Sequence, residues 1–219
     1  MPDENTSNSE KLIIKYMQVE EITITGSENI PDAAFRAAKQ IILKITSKHP
    51  DLLNYLSGYE CVLVSPEESV QSSVRWKEGS FNTSAGLAIG PRNDLGFPGR
   101  LAASIEWKKK PSMHVFIHEF GHAIGFVISK IDTQYDIVLQ QAFNKAMELG
   151  LWQEEYFIKR IGKPNHDPVD EYWAEGVRRW YTWGKGHKFK SREEFKEYDP
   201  GLTQLLDRWL SDEEIPLTY

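Results

Sequence analysis

His118-Glu119-Phe120-Gly121-His122 constrains this chain more than any other stretch. Around it Val115, Phe116, Ile117, Phe120, Ala123, Ile124, Val127 and Ile128 recur as they would on a helix with most of its surface covered. On such a helix residues four apart share a face one turn apart, so both imidazoles reach a single ion while Glu119 sits beside them. Two histidines and a glutamate are expensive to bury without a partner, and a metal is the usual partner for this spacing. The pattern predicts Zn2+, with Glu119 as general base for a hydrolysis, and it demands a third ligand elsewhere.

At 219 residues, with 40% apolar side chains and 12% aromatics, the chain can enclose a sizeable core around that helix. A net charge of −6 argues against a nucleic-acid surface, which needs a basic face. Lys108-Lys109-Lys110, the only dense basic run, reads as a solvated loop ahead of a helix starting at Pro111. The lone cysteine, Cys61, lies in the apolar run Cys61-Val62-Leu63-Val64 and reads as a core residue. No basic segment followed by an apolar one is visible near Met1, and no apolar run reaches transmembrane length. The expectation is a chain with no membrane contact, placed in the cytoplasm unless exported without a classical signal or supplied as a mature secreted fragment.

The pattern of elements is α+β. Residues 1–10 read as a disordered tail and 11–219 as one domain. Val19 to Thr25, Glu60 to Ser65, Leu87 to Ile89 and Leu101 to Trp107 read as strands, with a helix from Pro31 to His49 between the first two. The stretch 90–99, rich in glycine and proline, reads as a loop that either rims a cleft or has no role. Beyond Pro111 the chain reads as helices over 112–130, 133–149, 151–160, 168–183, 191–197 and 201–211. Five of the seven tryptophans follow residue 150, and core packing explains them better than an aromatic subsite.

Asp170-Glu171-Tyr172-Trp173-Ala174-Glu175 is the strongest source of the third ligand. Glu171 and Glu175 are four apart and share a helix face. With one as ligand, the other can hydrogen-bond a ligating imidazole. Two exposed acids near a helix N-terminus would be the simpler explanation, and the aromatic neighbours argue against it.

His-Glu-Phe-Gly-His-Ala-Ile, followed some fifty residues later by Glu-Tyr-Trp-Ala-Glu, resembles the gluzincin metallopeptidases of the anthrax lethal factor type and the Pro-Pro endopeptidases of the same superfamily. The match covers about 113–127 and 168–182. It implies a zincin-like metallopeptidase domain: a small mixed sheet over an active-site helix, with a helical C-terminal lobe. It also implies His118, His122 and Glu171 as zinc ligands, Glu119 as general base, and Glu175 behind a ligand. Ile128 stands where a metzincin carries its third histidine, which excludes that family. Pro164 stands where the lethal factor group has a tyrosine, seven residues before the third ligand, that donates to the oxyanion. His166, Tyr156 and Tyr172 are the candidate substitutes, with a structural role the simpler reading of each.

The expected function is zinc-dependent endopeptidase cleavage of a protein or peptide. An extended substrate could pair with an edge strand near Leu101 to Ile105. The alternative is a catalytically weak or inactive zinc-binding module for protein interaction or targeting.

Overall fold

The computed structural model describes residues 14–67, 86–89, 99–162, 167–184 and 186–219. The tail at 1–10, most of the loop at 90–99, and both Pro164 and His166 lie outside them.

The first two strands form a hairpin. β1 (Ile14–Val19) and β2 (Ile22–Ser27) pair antiparallel, with Val19 opposite Ile22. Glu20 turns the chain with a φ of 50°. Val19, Ile22 and Ile24 are all buried, and the exposed Glu20-Glu21 pair that breaks the alternation between Val19 and Ile22 is the turn. The strand expected from Val19 to Thr25 therefore straddles two strands.

α1 (Asp32–Ile45) and the short α2 (Leu52–Tyr55) lead to β3 (Glu60–Val64), which lies parallel to β2. α1 buries Phe35, Ala38, Ile41, Ile42 and Ile45 on one stripe, with Asp32 in its first turn and Lys44 in its last, as its dipole favours. β5 (Arg100–Ser104) is parallel to β3, and β4 (Gly86–Ile89) closes the sheet antiparallel to β5. The order is β1-β2-β3-β5-β4. β5 is thus paired on both sides, and the edge on this flank among the described residues is β4 rather than the Leu101 to Ile105 segment.

One sheet face carries Ile22, Ile24, Cys61, Leu63, Leu101 and Ala103 into the main core. Val62, Val64 and Ala102 turn to the other face.

The stretch expected as one strand from Leu101 to Trp107 divides. β6 (Glu106–Trp107) leaves the sheet and pairs with β7 (Lys110–Pro111) in a two-stranded ribbon. Lys108 and Lys109 form its turn with φ of 51° and 61°, the pair of left-handed values a type I′ turn requires. The lysines are exposed as expected, but Pro111 belongs to a strand instead of opening a helix.

α3 (His114–Ile131) carries the pentapeptide. Its start is held by Ser112 Oγ, which accepts from His114 N at 3.2 Å, and by Leu217 O, which accepts from Met113 N at 3.0 Å. α4 (Tyr135–Glu148), α5 (Pro168–Tyr181), α6 (Arg192–Tyr198) and α7 (Pro200–Trp209) then follow close to their expected bounds.

The helix expected over 151–160 does not form. Gly150 and Trp152 both take left-handed φ, and only Ile158–Arg160 makes a 3-10 turn. Trp152 decides this, because its buried indole Nε1 donates to Asp199 Oδ2 at 2.7 Å and its backbone N donates to Tyr198 Oη at 2.6 Å. Local helix propensity yields to those two tertiary anchors. Trp173 and Trp180 are buried like Trp152, so packing accounts for these three, while Trp183 is exposed.

The fold is α+β: a small mixed sheet, helices on its core face, and a helical second half. One hydrophobic core runs from β1 through α7 and up to Leu210.

Candidate metal centre

Two helices build the site, and glycine sets their spacing. A Cβ at Gly121 would stand 3.0 Å from Val177 Cβ and 3.2 Å from Ala174 Cα, and one at Gly125 would stand 2.9 Å from the Trp173 ring. Trp173 Nε1 donates to the Gly121 carbonyl oxygen at 2.9 Å, tying α5 to α3. The two helices therefore touch almost backbone to backbone at the level of the histidines.

α5 begins where Asp167 caps it, accepting from Val169 N at 2.8 Å and from Asp170 N at 3.4 Å, with Pro168 in the first turn. Glu171 also falls in that first turn, where negative charge is favoured, and Glu175 lies one turn on.

His118 Nε2 is 3.3 Å from Glu171 Oε2, and His122 Nε2 is 4.0 Å from the same oxygen. The donor atoms of the three residues all lie within 4.8 Å of one another. Tetrahedral ligands at zinc distances sit roughly 3.3–3.4 Å apart, so two imidazoles and one carboxylate in this arrangement fit the ion with a small adjustment at His122. His118 turns its other nitrogen, Nδ1, toward Glu175 Oε2 at 3.6 Å. A carboxylate on that side favours the tautomer that leaves Nε2 free to ligate.

The electrostatics favour a proton on His118 and disfavour one on His122. Burial opposes a proton on His118, yet Glu171 and Glu175 outweigh it and raise the imidazole to about 10. Burial, reinforced by His118, lowers His122 to about 3. Burial works against an ionised Glu171, but the hydrogen bond and charge of His118 hold it down at about 2. Glu175 is also driven below the carboxylate range, its burial overcome by Arg178 and His118. Glu119, 6% exposed, behaves differently: burial raises it to about 7 against the pull of His118. A carboxylate poised near neutrality exchanges protons readily at neutral pH.

Of the candidate substitutes for the missing tyrosine among the described residues, Tyr156 is the one the structure places at the cluster. Its phenol donates to Glu171 Oε2, and its oxygen lies 3.4 Å from His118 Nε2. Burial and then Glu171 push the phenol well above its usual range, so it stays protonated as a donor. Tyr172 points elsewhere, donating to Asp199 Oδ2 at 2.6 Å in the core. Tyr156 lies in the segment expected to be helical, and no fixed spacing links it to Glu171. Arg178 and Arg179 carry no such expectation from the sequence, although both lie within a helical turn of Glu175 and bond to it.

His118, His122 and Glu171 are the one group of three or more potential ligands among the described residues. No helix among them is long and apolar enough to cross a membrane. No family model, curated protein or solved structure matches this chain.

Proposed function

We propose that this protein is a zinc-dependent endopeptidase of gluzincin type on a zincin-like fold, acting on a protein or peptide. The observation that carries the reading is the convergence of His118 Nε2, His122 Nε2 and Glu171 on one point, on the helix that also bears Glu119. His118, His122 and Glu171 would hold the ion, and Glu175 would orient His118 from behind. Zinc bound there polarises a carbonyl and makes water more acidic.

The remaining work falls to the chain. Glu119 takes a proton from the attacking water and returns it to the leaving amine, a role suited to its raised pKa. Tyr156 turns its phenol proton from Glu171 to the developing oxyanion, supplying the donor that Pro164 cannot. An extended substrate would pair with β4, whose partner among the described strands is β5 alone. The rival reading, a noncatalytic zinc-binding module, rests on Pro164, and a phenol facing the ligand cluster removes most of that support.

The test is metal analysis of the purified protein together with a peptide-library cleavage screen, wild type against Glu119→Gln. The expected result is one zinc in both proteins and cleavage by wild type alone. Full activity in Glu119→Gln would refute the mechanism, metal without cleavage would favour the binding module, and no metal would remove the reading altogether.

A further inference from the structure

Glu175 is 1% exposed, deep enough that an unpaired carboxylate would be costly. It is met on two sides. Beyond His118, Arg178 forks onto it, Nε donating to Oε2 at 2.8 Å and Nη2 to Oε1, and Arg179 Nε donates to Oε1 at 2.8 Å. Arg179 then spans to a second carboxylate, its Nη2 donating to Glu155 Oε1 at 2.8 Å. Lys188 Nζ lies 3.5 Å from that same oxygen. Glu155 immediately precedes Tyr156, in a segment built of turns with no regular helix to hold it.

Surface ion pairs contribute little, but these are not at the surface: the Arg178, Arg179, Glu175 and Glu155 side chains are 18%, 12%, 2% and 14% exposed. A planar guanidinium also fixes direction, which an ammonium does not.

We propose that Arg178 and Arg179 are positioning residues of the metal centre: together they orient His118 through Glu175, and Arg179 seats Tyr156 through Glu155. This rests on the metallohydrolase reading, but its consequences can be measured without turnover. The chain tuning the ligand and the chain placing the phenol share one guanidinium, so the two halves of the site are mechanically joined.

The experiment uses the full chain with two readouts, zinc affinity by chelator competition and affinity of the zinc-loaded protein for acetohydroxamate, whose anionic oxygen stands in for the oxyanion. Arg178→Met/Arg179→Met should lose roughly 10–100-fold in zinc affinity, the usual effect of removing support behind a ligand. Arg178→Lys/Arg179→Lys, which keeps the charges and preserves folding more safely, should fall between that variant and wild type. Glu155→Gln should keep its zinc affinity and lose roughly tenfold in hydroxamate affinity, as should Tyr156→Phe, with no further loss when the two are combined.

A folded arginine double variant, Lys or Met, with zinc affinity within about twofold of wild type would overturn the role through Glu175. Additive losses for Glu155→Gln and Tyr156→Phe would overturn the role through Glu155. A wild type that binds no zinc would overturn the proposal and the metal reading together. Zinc binding with these losses but no peptide cleavage would sustain the proposal and refute only the peptidase.

Discussion

Gly125→Ala separates packing from propensity within one substitution. In an exposed helix this change stabilises by about 1 kcal/mol, because alanine loses less backbone freedom on folding. Here the new Cβ would lie 2.9 Å from both Cδ1 and Nε1 of Trp173 and 3.2 Å from Tyr135 Oη, where ordinary contacts begin near 3.4 Å. The indole cannot simply swing away, because it is buried and bonded to Gly121 O. Overpacking of this kind costs about 1–3 kcal/mol, and breaking the buried indole bond would cost another ~1–3 kcal/mol. Only one of the two need be incurred, so after the propensity gain of about 1 kcal/mol the net expectation is a destabilisation of about 0–2 kcal/mol. Guanidinium unfolding of the metal-free protein measures it. If α5 instead moves back from α3, Glu171 moves away from His118 and His122, and zinc affinity falls too. Each tenfold loss would shrink the zinc-induced gain in stability by about 1.4 kcal/mol at fixed saturating zinc. A Gly125→Ala protein that is more stable than wild type, with unchanged zinc affinity, would refute the close crossing as the device that assembles the site.

Asp199→Ala removes the cap of α7, where Oδ1 accepts from Leu202 N at 3.1 Å, and strands the buried Trp152 indole and Tyr172 hydroxyl. A loss of about 3–5 kcal/mol is expected in chemical unfolding, and a loss below ~1 kcal/mol would contradict it. Cys61 and Tyr59 are both raised by burial above their ordinary values of 9.0 and 10.0. The unfolded chain gives up those protons first, so stability should be whole below pH 9 and decline as the pH rises through 9 and 10, seen as a falling denaturation midpoint. Native Cys61 should likewise resist alkylation at pH 8.5, and rapid labelling without unfolding would contradict its burial. Changing Glu171 to Ala should weaken zinc binding far more than changing Glu175 to Ala, and the reverse ranking would reassign the third ligand.

Where the sequence misleads, long-range contacts have overruled a local preference. Val19 to Thr25 is the exception, because its turn is marked locally: Glu20-Glu21 interrupts the alternation between Val19 and Ile22. Residues 151–160 have adequate helix propensity, but the bonds from Trp152 to Tyr198 and Asp199 lie more than forty residues away in sequence. Leu101 to Ile105 looks like a free edge until β4 is seen beside it. The sequence leaves Tyr156 one candidate among three for the same reason as the missing helix, since only the fold of that irregular segment turns its phenol to Glu171.

By itself the sequence determined the apolar helix bearing His118, Glu119 and His122, the helix bearing Glu171 and Glu175, and the α+β order of elements. All of these depend on periods of two or of 3.6 residues, which are written locally. Tertiary structure alone decided that Glu171 faces both histidines while Glu175 lies behind His118, that Gly121 and Gly125 admit α5 so closely, and that Tyr156 bonds to Glu171 while Arg178 and Arg179 bond to Glu175. Those outcomes depend on distances between segments far apart in the chain, and side-chain packing rather than spacing fixes such distances.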